Sequence, residues 1–287
     1  MNILMAVNKS YLDKAMSMLL SLRLTNKDSN ITLYLINANL DIKDIEKLRT
    51  FLMKKCDIKL ELIQFDKGLI KGMPIVKQFS VEVYYRIFAH DLLPKNLERI
   101  LWLDADIIIM KNIVDFYYQN FDDKAMVASK SINCFEKSIS NIKKELNIDE
   151  NHIYFNSGVL LLNLKFLRDN ITSKIISNTC YLLKDKLVYP DQDILNYLYQ
   201  GKIKYADDKK YNNQILLAPK TSKINCKNIY ILHYAGPCKP WNYRFINKYS
   251  KFYWSIQLKR GRYLQYIFTY IIASVIYSLR KIKHYLK

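Results

Sequence analysis

Two aspartates, Asp104 and Asp106, stand one residue apart between two apolar runs, Arg99–Leu103 and Ile107–Met110. On an extended chain, the side chains of residues i and i+2 point to the same face. Two carboxylates between apolar runs are costly to bury unpaired, and a bound divalent cation removes that cost. The pattern favours a metal site, although a solvated or lysine-paired pair of acids at a strand end fits the same short motif.

A second group of ligand-binding residue types lies in the segment His233–Trp241, which reads HYAGPCKPW. We predict that His233 completes the metal site, and a mixed carboxylate and imidazole set suits Mn²⁺ better than Mg²⁺. Gly236 permits close backbone approach to a ligand, and Lys239 offers a positive charge to a phosphate. A lone histidine is more often an ordinary core or surface residue, so the prediction depends on the whole segment.

The elements that must position these residues alternate along the chain between strands and helices. Such alternation predicts βαβ units, a parallel sheet and an α/β fold, with ligands at the carboxyl ends of the strands. The predicted strands are Asn2–Val7, Ile31–Ile36, Lys59–Phe65, Arg99–Leu103, Ala125–Ala128, Val159–Leu162 and Ile229–Leu232, and the predicted helices are Ala15–Leu22, Ile42–Leu52, Phe79–Leu92, Val114–Tyr118, Lys165–Lys186 and Asp191–Tyr199.

Composition limits the protein class. The chain has 287 residues, of which 50% are hydrophobic and 25% charged, so it can build a core and is not disordered. No uninterrupted apolar window of about 20 residues occurs, which excludes a polytopic membrane protein. The N-terminal run reads as a strand rather than a signal peptide. The five cysteines form no CxxC pair, which favours free thiols in a reducing cytosol.

Charge is concentrated near the C-terminus, because residues 209–287 carry 16 Lys and Arg side chains and no acid. Within residues 243–287, an uncharged stretch, 263–279, lies between basic flanks. It is shorter and more polar than the about 20 mostly apolar residues that a membrane-spanning helix needs. We predict two parts, a body over 1–242 and a basic, amphipathic, helical membrane-association segment over 243–287 that lies on anionic lipid. Two alternatives remain open, namely a short tail anchor and a helix packed on the body or on a dimer partner. A nucleic-acid partner is less favoured, because it would leave the apolar stretch unexplained.

Taken together, the motifs resemble those of the family 8 retaining glycosyltransferases, which include bacterial lipopolysaccharide α-galactosyl- and α-glucosyltransferases and glycogenin. The resemblance covers about residues 1–245. The segments that carry it are Ala6–Tyr11, Tyr85-Arg86, Leu101–Asp106, Phe155–Val159, Asp191–Asn196 and His233–Trp241.

The resemblance implies a single Rossmann-like, nucleotide-sugar-binding domain of the GT-A type with a mostly parallel central sheet. It implies that uracil binds near Ala6 and Tyr11, the diphosphate at Gly236 and Lys239, and the donor sugar at Arg86 and Asn156. The implied ligands of Mn²⁺, or of Mg²⁺, are Asp104, Asp106 and His233. The implied donor-binding residues are Ala6, Asn8, Tyr11, Arg86, Asp104, Ala105, Asp106, Asn156, Gly236 and Lys239. The implied catalytic residues near the anomeric carbon are Gln192, Asp191 and Asn156.

The same resemblance implies transfer of galactose or glucose from a UDP-sugar to a lipo-oligosaccharide or other cell-surface glycan, at the cytoplasmic face of the cell membrane. Asn8-Lys9 and Ser129–Ser131 replace acids of the bacterial galactosyltransferases, so the donor hexose stays open. Retention through a covalent intermediate needs a carboxylate opposite the leaving group. The nearest implied residue is the amide Gln192, a poor nucleophile, so we expect attack from the leaving-group face.

Two other interpretations remain at this point. A haloacid-dehalogenase-type phosphatase also uses a DxD motif after a strand, but there the motif usually lies near the N-terminus. It also has Thr or Val where this chain has Ile108, and it leaves His233–Trp241 unexplained. A membrane-peripheral protein without catalytic activity is the second alternative, and only the altered Asn8 and Ser131 positions favour it.

Overall fold

The computed structural model of the chain describes residues 1–37, 39–70, 73, 81–132, 137–215, 226–242 and 247–285. Ten strands lie within this part of the chain and form two sheets. The strands are β1 (Asn2–Val7), β2 (Thr32–Asn37), β3 (Lys59–Ile63), β4 (Arg99–Leu103), β5 (Ile107–Ile109), β6 (Met126–Lys130), β7 (Phe155–Asn163), β8 (Ile203–Ala206), β9 (Asn213–Gln214) and β10 (Ile231–His233).

The larger sheet has seven strands in the order β3-β2-β1-β4-β7-β6-β8. Strand β1 pairs in parallel with both β2 and β4, while β7 runs antiparallel to its neighbours β4 and β6. The mostly parallel sheet of the α/β fold is therefore confirmed. Because the chain leaves β1 toward β2 on one side and returns to β4 on the other, a crevice opens at the carboxyl ends of β1 and β4.

The smaller sheet joins two distant parts of the sequence in front of that crevice. Strand β10 pairs antiparallel with β5 and parallel with β9, and His233 lies opposite Ile107. The backbone N–H of Tyr234 also donates to the carbonyl of Asp106 at 2.9 Å. This register places the strand-end histidine beside the residues that follow β4.

Helices cover both faces of the larger sheet, and each strand divides its side chains between two hydrophobic clusters. Leu101 and Leu103 belong to one cluster, whereas Ile100 and Trp102 belong to the other, as expected for a sheet buried on both faces. The helices are α1 (Leu12–Thr25), α2 (Ile42–Phe51), α3 (Ala89–Leu92), α4 (Val114–Tyr118), α5 (Ile139–Leu146), α6 (Leu164–Asn170), α7 (Ser173–Leu183), α8 (Pro190–Leu198), α9 (Asp208–Tyr211), α10 (Ser250–Lys259), α11 (Tyr263–Gln265) and α12 (Ile272–Tyr285).

Two helix predictions need correction. The single helix predicted over Lys165–Lys186 is two helices, because Ile171 is extended and the Thr172 hydroxyl accepts a hydrogen bond from Ile175 N at 3.3 Å, which starts α7. The helix predicted over Phe79–Leu92 is a 3₁₀ helix over Val81–Phe88 followed by the short α3. Residues 79 and 80 lie outside the described part.

The first C-terminal helix is joined to the body by side-chain contacts. Gln257 Nε2 donates to Ser17 Oγ at 3.0 Å, and Arg260 Nη2 lies 2.9 Å from Asp13 Oδ1, so α10 packs on α1. Trp254 Nε1 donates to a carbonyl in the 236–241 loop at 2.9 Å. The division of the chain at residue 242 stays a prediction, since residues 243–246 lie outside the described part.

Candidate active site

Asp104 and Asp106 lie where the chain passes from the larger sheet to the smaller one. The expectation that they share one face of an extended chain is wrong, because Ala105 and Asp106 form a turn between β4 and β5. The turn still brings the carboxylates together with His233. One ligand atom from each of the three side chains lies within 4.8 Å of the others, and His233 Nε2 is 3.3 Å from Asp106 Oδ1.

The chemistry of this cluster fits a divalent cation. Asp106 Oδ1 is buried and has no hydrogen-bond partner among the described residues. Asp104 uses Oδ1 to accept from Trp102 Nε1 at 2.9 Å and to pair with Arg86 at 2.9 Å, so its Oδ2 remains to bind a ligand. Two carboxylates and an imidazole are a donor set that suits Mn²⁺.

Gly158, on β7, lies directly against the side chains of His233 and Asp104. A Cβ at this position would lie 2.3 Å from His233 Cε1 and 3.0 Å from Asp104 Oδ2. Only a glycine therefore allows the imidazole and the carboxylate to lie so close to the backbone of β7. The sequence carried a signal for this role, since a glycine inside a strand often marks a close approach.

Arg86 links the cluster to the start of α8 and is buried. Its Nη2 pairs with Asp104, its Nε lies 3.2 Å from Asp191 Oδ2, and its Nη1 donates to the Ser157 carbonyl at 2.7 Å. The guanidinium stacks on Trp102, 4.4 Å from the ring centroid. Burial lowers the pKa of Arg86, but the two carboxylates outweigh it and the net shift is upward.

Asp191 and Gln192 occupy the first turn of α8, against β7. Burial raises the pKa of Asp191, and Arg86 opposes this without cancelling it. Gln192 Oε1 accepts from Asn156 Nδ2 at 2.9 Å and from Ser157 N at 3.1 Å. The structure thus brings together Asp191, Gln192 and Asn156, the three residues that the resemblance implies near the anomeric carbon of the donor sugar.

Asp193 and Asn196, to which the sequence analysis gave no role, fix α8 in place. The Asp193 carboxylate accepts from the backbone N–H groups of Val188 and Tyr189 at 2.7 and 2.8 Å, and from the Tyr154 hydroxyl. Burial raises the pKa of Asp193 to about 6. Asn196 Nδ2 donates to the carbonyl of Phe155 at 2.9 Å, which ties α8 to β7.

The 236–241 loop brings the half-buried cation Lys239 to the cluster. Lys239 Nζ pairs with the Asp106 carboxylate and donates to the Tyr234 carbonyl at 2.7 Å. Burial raises the pKa of Asp106, but Lys239 and His233 outweigh it and the net shift is downward. Gly236 has φ +70°, a left-handed conformation that favours glycine.

The end of β1 contributes a turn and an aromatic ring. Asn8 Oδ1 accepts from Tyr11 N at 3.1 Å and so closes the turn into α1, while Lys9 pairs with Asp41 at 3.0 Å. Tyr11 meets Trp241 edge-on, with ring centroids 6.1 Å apart. Burial raises the pKa of the Tyr11 hydroxyl, and the positive charge of Lys239 opposes this shift without cancelling it.

The remaining sequence positions lie at the margins of the cleft. Ala6, near the end of β1, and Ala105, in the turn, are half-buried. Ser131, which replaces an acid of the bacterial galactosyltransferases, is buried and its backbone N–H donates to the Tyr154 carbonyl at 2.9 Å.

Asn212 is a further site residue that the sequence analysis missed. Its Oδ1 lies 2.8 Å from His233 Nδ1, and its Nδ2 donates to Asn156 Oδ1 at 2.9 Å. It stands in a short polar stretch, Tyr211–Asn213, with no pattern that distinguishes it from a loop. Its contact with His233 becomes visible only in the folded chain, where β9 pairs with β10.

Comparisons with known proteins agree with this geometry. The sequence profile of glycosyl transferase family 8 matches residues 2–244. The chain is 30% identical over 257 residues to a lipopolysaccharide 1,2-glucosyltransferase of Escherichia coli, covering 84% of this chain and 73% of that protein. It is 27% identical over 255 residues to the lipopolysaccharide 1,3-galactosyltransferase of Salmonella typhimurium, with the same coverage.

Solved structures share the fold. The galactosyltransferase LgtC, in complex with donor and acceptor sugar analogs, superposes with a TM-score of 0.76 at 22% identity, over 89% of this chain and 95% of that one. The glycosyltransferase GlyE of Streptococcus pneumoniae has a TM-score of 0.66 at 22% identity, over 90% of this chain and 60% of that one.

Proposed function

The chain belongs to glycosyl transferase family 8, and on this premise we propose that it transfers glucose or galactose from a UDP-sugar to a lipo-oligosaccharide or another cell-surface glycan. It is a hexosyltransferase, which decides against the phosphatase and the non-catalytic interpretations. The names of two relatives, a lipopolysaccharide glucosyltransferase and a lipopolysaccharide galactosyltransferase, support the choice of sugars and acceptor.

The observation that carries the proposal is the cluster of Asp104, Asp106 and His233 at the carboxyl end of β4. These three side chains would hold Mn²⁺, with Mg²⁺ as the alternative. When bound there, the ion supplies Lewis-acid stabilisation to the negative charge of the diphosphate. Lys239 adds a half-buried positive charge beside Asp106, which strengthens electrostatic stabilisation of the leaving group.

We propose that the other residues that contact the UDP-sugar lie along the cleft. Tyr11 and the backbone near Ala6 face the uracil, with Asn8 and Ala105 beside the nucleotide. The turn at Gly236 approaches the diphosphate. Arg86 and Asn156 lie on the sugar side, where Arg86 also fixes Asp104 and Asp191.

Two hydrogen bonds support retention by attack from the leaving-group face. Gln192 Oε1 already accepts from Asn156 Nδ2 and Ser157 N, so this oxygen is poorly placed to act as a nucleophile. Asp191 is paired with Arg86. We propose that the acceptor hydroxyl attacks the sugar on that face and gives its proton to the departing phosphate oxygen. A glycosyl adduct on Asp191 or Gln192, trapped and detected by mass spectrometry, would contradict this mechanism.

The first experiment measures donor binding and slow donor hydrolysis. Thermal stabilisation by UDP-glucose and by UDP-galactose is compared with and without Mn²⁺, and release of UDP is measured in the same mixtures. We expect metal-dependent stabilisation by one or both donors and loss of hydrolysis in excess EDTA. Asp106→Asn should abolish hydrolysis, whereas Asp185→Asn, at an exposed aspartate before α8, should not. Undiminished hydrolysis in EDTA would show that the metal proposal is wrong.

We also propose that the C-terminal segment attaches the enzyme to an anionic membrane. The inner face of its last turns packs on α10, since the ring centroids of Tyr266 and Tyr270 lie 6.4 and 6.1 Å from that of Trp254 and Ala273 is buried. Its outer face is apolar and exposed. The exposed large apolar residues are Tyr263, Leu264, Ile267, Phe268, Ile271, Ile272, Val275, Ile276 and Leu279.

Charge supports an anionic lipid surface as the partner of this face. Lys251 and Lys259 on α10 are exposed, whereas Arg260 and Arg262 pair with Asp13. The side chains of Arg280–Lys287, the second predicted basic flank, lie outside the described part. Among the described residues, no helix combines the length and hydropathy needed to cross a bilayer. The proposed location is the cytoplasmic face of the cell membrane.

Vesicle flotation tests the attachment. We expect binding to vesicles that contain phosphatidylglycerol at low salt, release at high salt, and weaker binding to neutral vesicles. Phe268→Gln should weaken flotation, whereas Leu182→Gln, at an equally exposed apolar position on α7, should not; the two side chains are 66% and 64% exposed. Absence of flotation on anionic vesicles at low salt would contradict the proposal.

A further inference from the structure

Two backbone N–H groups of β7 determine how the side-chain amides of the site are oriented. Ser157 N donates to Gln192 Oε1 at 3.1 Å, and Gly158 N donates to Asn156 Oδ1 at 3.0 Å. A backbone N–H can only donate, so each side-chain atom that meets one must be the carbonyl oxygen. This fixes the Asn156 amide with its NH₂ group toward Gln192, 2.9 Å from Oε1.

The orientation of the Asn212 side-chain amide, which contacts His233 of the metal cluster, follows in the same way. Asn156 Oδ1 is an acceptor, so the Asn212 atom 2.9 Å from it is the NH₂ nitrogen. The Asn212 carbonyl oxygen therefore faces His233 Nδ1 at 2.8 Å, and Nδ1 must carry the proton. His233 Nε2 is then the ring nitrogen that faces Asp106 Oδ1, at 3.3 Å, and in the neutral imidazole its lone pair is available to a cation bound there.

We propose that Asn212 is a positioning residue with two separate tasks. Its carbonyl holds His233 in the Nδ1–H tautomer that leaves Nε2 free for a metal ion, as outer partners of metal-binding histidines do. Its NH₂ group holds Asn156, which in turn orients Gln192 with its NH₂ group free to donate to the donor sugar. Asn212 is fully buried, so no solvent competes for either hydrogen bond. The second task rests on the proposed function, whereas the first does not.

The tautomer is measured directly in the metal-free protein, at an alkaline pH at which the imidazole ring is neutral. Histidine labelled with ¹⁵N in the ring is observed by long-range ¹H–¹⁵N correlation, and His233→Gln assigns the signal among the four histidines. We expect the Nδ1–H form in the wild type and in Asn212→Asp, whose carboxylate still accepts. Asn212→Ala should lose it. Asn213→Ala, at the next residue and the first of β9, should leave the spectrum unchanged.

Metal affinity and turnover separate the two tasks. Mn²⁺ is titrated without donor, and kcat and KM of UDP-sugar hydrolysis are measured for each variant. Asn212→Ala should weaken Mn²⁺ binding by about 10- to 100-fold. Asn212→Asp should keep Mn²⁺ affinity within a few-fold but lower kcat by about 100-fold, because aspartate cannot donate to Asn156. Asn213→Ala should match the wild type in both.

Several outcomes overturn the proposal. An unchanged tautomer and Mn²⁺ affinity in Asn212→Ala would refute the first task, and a wild-type kcat in Asn212→Asp would refute the second. Should Asn212→Ala not fold, judged by circular dichroism, Asn212→Asp decides both tasks, since loss of the Nδ1–H form there contradicts the first. A wild-type protein that turns over no UDP-sugar contradicts the proposed function, while the tautomer and Mn²⁺ measurements still decide the role of Asn212 toward His233.

Discussion

Replacing Gly158 with alanine should distort the proposed metal site while leaving the three proposed ligands, Asp104, Asp106 and His233, unchanged in sequence. The new Cβ would stand 2.3 Å from His233 Cε1 and 3.0 Å from Asp104 Oδ2. Carbon atoms in contact lie about 3.5–4.0 Å apart, so the imidazole would have to retreat by more than about 1 Å. His233 sits on β10 with its Nδ1 held by Asn212, which leaves it little freedom to adjust.

The structure gives a magnitude for each effect. Metal–ligand distances tolerate deviations of about 0.2 Å, so a displacement of about 1 Å removes His233 from the site. Loss of a direct ligand should cost at least the roughly 10- to 100-fold in affinity known for outer partners. Overpacking should lower the free energy of unfolding by about 1–3 kcal/mol.

A double-mutant cycle with His233→Ala is the decisive assay. Mn²⁺ binding is measured by titration and stability by denaturant unfolding for Gly158→Ala, His233→Ala and the pair. Because the clash acts through His233, Gly158→Ala should cost little once the imidazole is gone, and the two effects should be strongly non-additive. Additive losses, or unchanged Mn²⁺ affinity in Gly158→Ala, would refute the reasoning that Gly158 is required by the imidazole.

Three further predictions follow from the contacts around the cluster. Arg86→Lys should lower the free energy of unfolding by about 2 kcal/mol, because one ammonium cannot bridge Asp104 and Asp191; denaturant unfolding measures it. Trp102→Phe should weaken Mn²⁺ binding by about tenfold while costing only about 1 kcal/mol of stability, since it removes the indole N–H from Asp104 but keeps the ring; titration and unfolding together check this. Burial raises the pKa of Asp193 from 3.8 to about 6, so its ionisation opposes folding: its stability contribution is present below about pH 4 and lost as the pH rises through about 6. The unfolding free energy of the wild type relative to Asp193→Asn should therefore fall by about 3 kcal/mol over that range, and a flat difference would contradict the assignment.

The sequence was enough to predict the fold class and the family. Strands such as Asn2–Val7 and Arg99–Leu103 are short apolar runs between polar turns, and burial of both faces leaves them few alternatives. The DxD pair and the His233–Trp241 segment are local patterns of rare residue combinations, so they can be recognised without coordinates. The sequence was therefore enough to propose the site residues inside these motifs as a set.

Helix boundaries and the DxD conformation were less predictable. Thr172 competes for backbone N–H groups and starts a new helix, although the apolar spacing continues across it. The chain turns between β4 and β5 because it passes there from the larger sheet to the smaller one. The residue type at Ala105 does not indicate this turn.

Tertiary structure alone decided how the site is supported. The pairing of β10 with β5 and β9 sets His233 opposite Ile107 and brings Asn212 behind its ring, although these residues are far apart or unremarked in the sequence. Sequence patterns report local periodicity and composition, whereas a hydrogen bond between two buried side chains depends on the register of strands that meet only when the chain is folded. The sequence therefore determined which groups are available for chemistry, and the strand register determined which atom of each group faces its neighbours in the cleft.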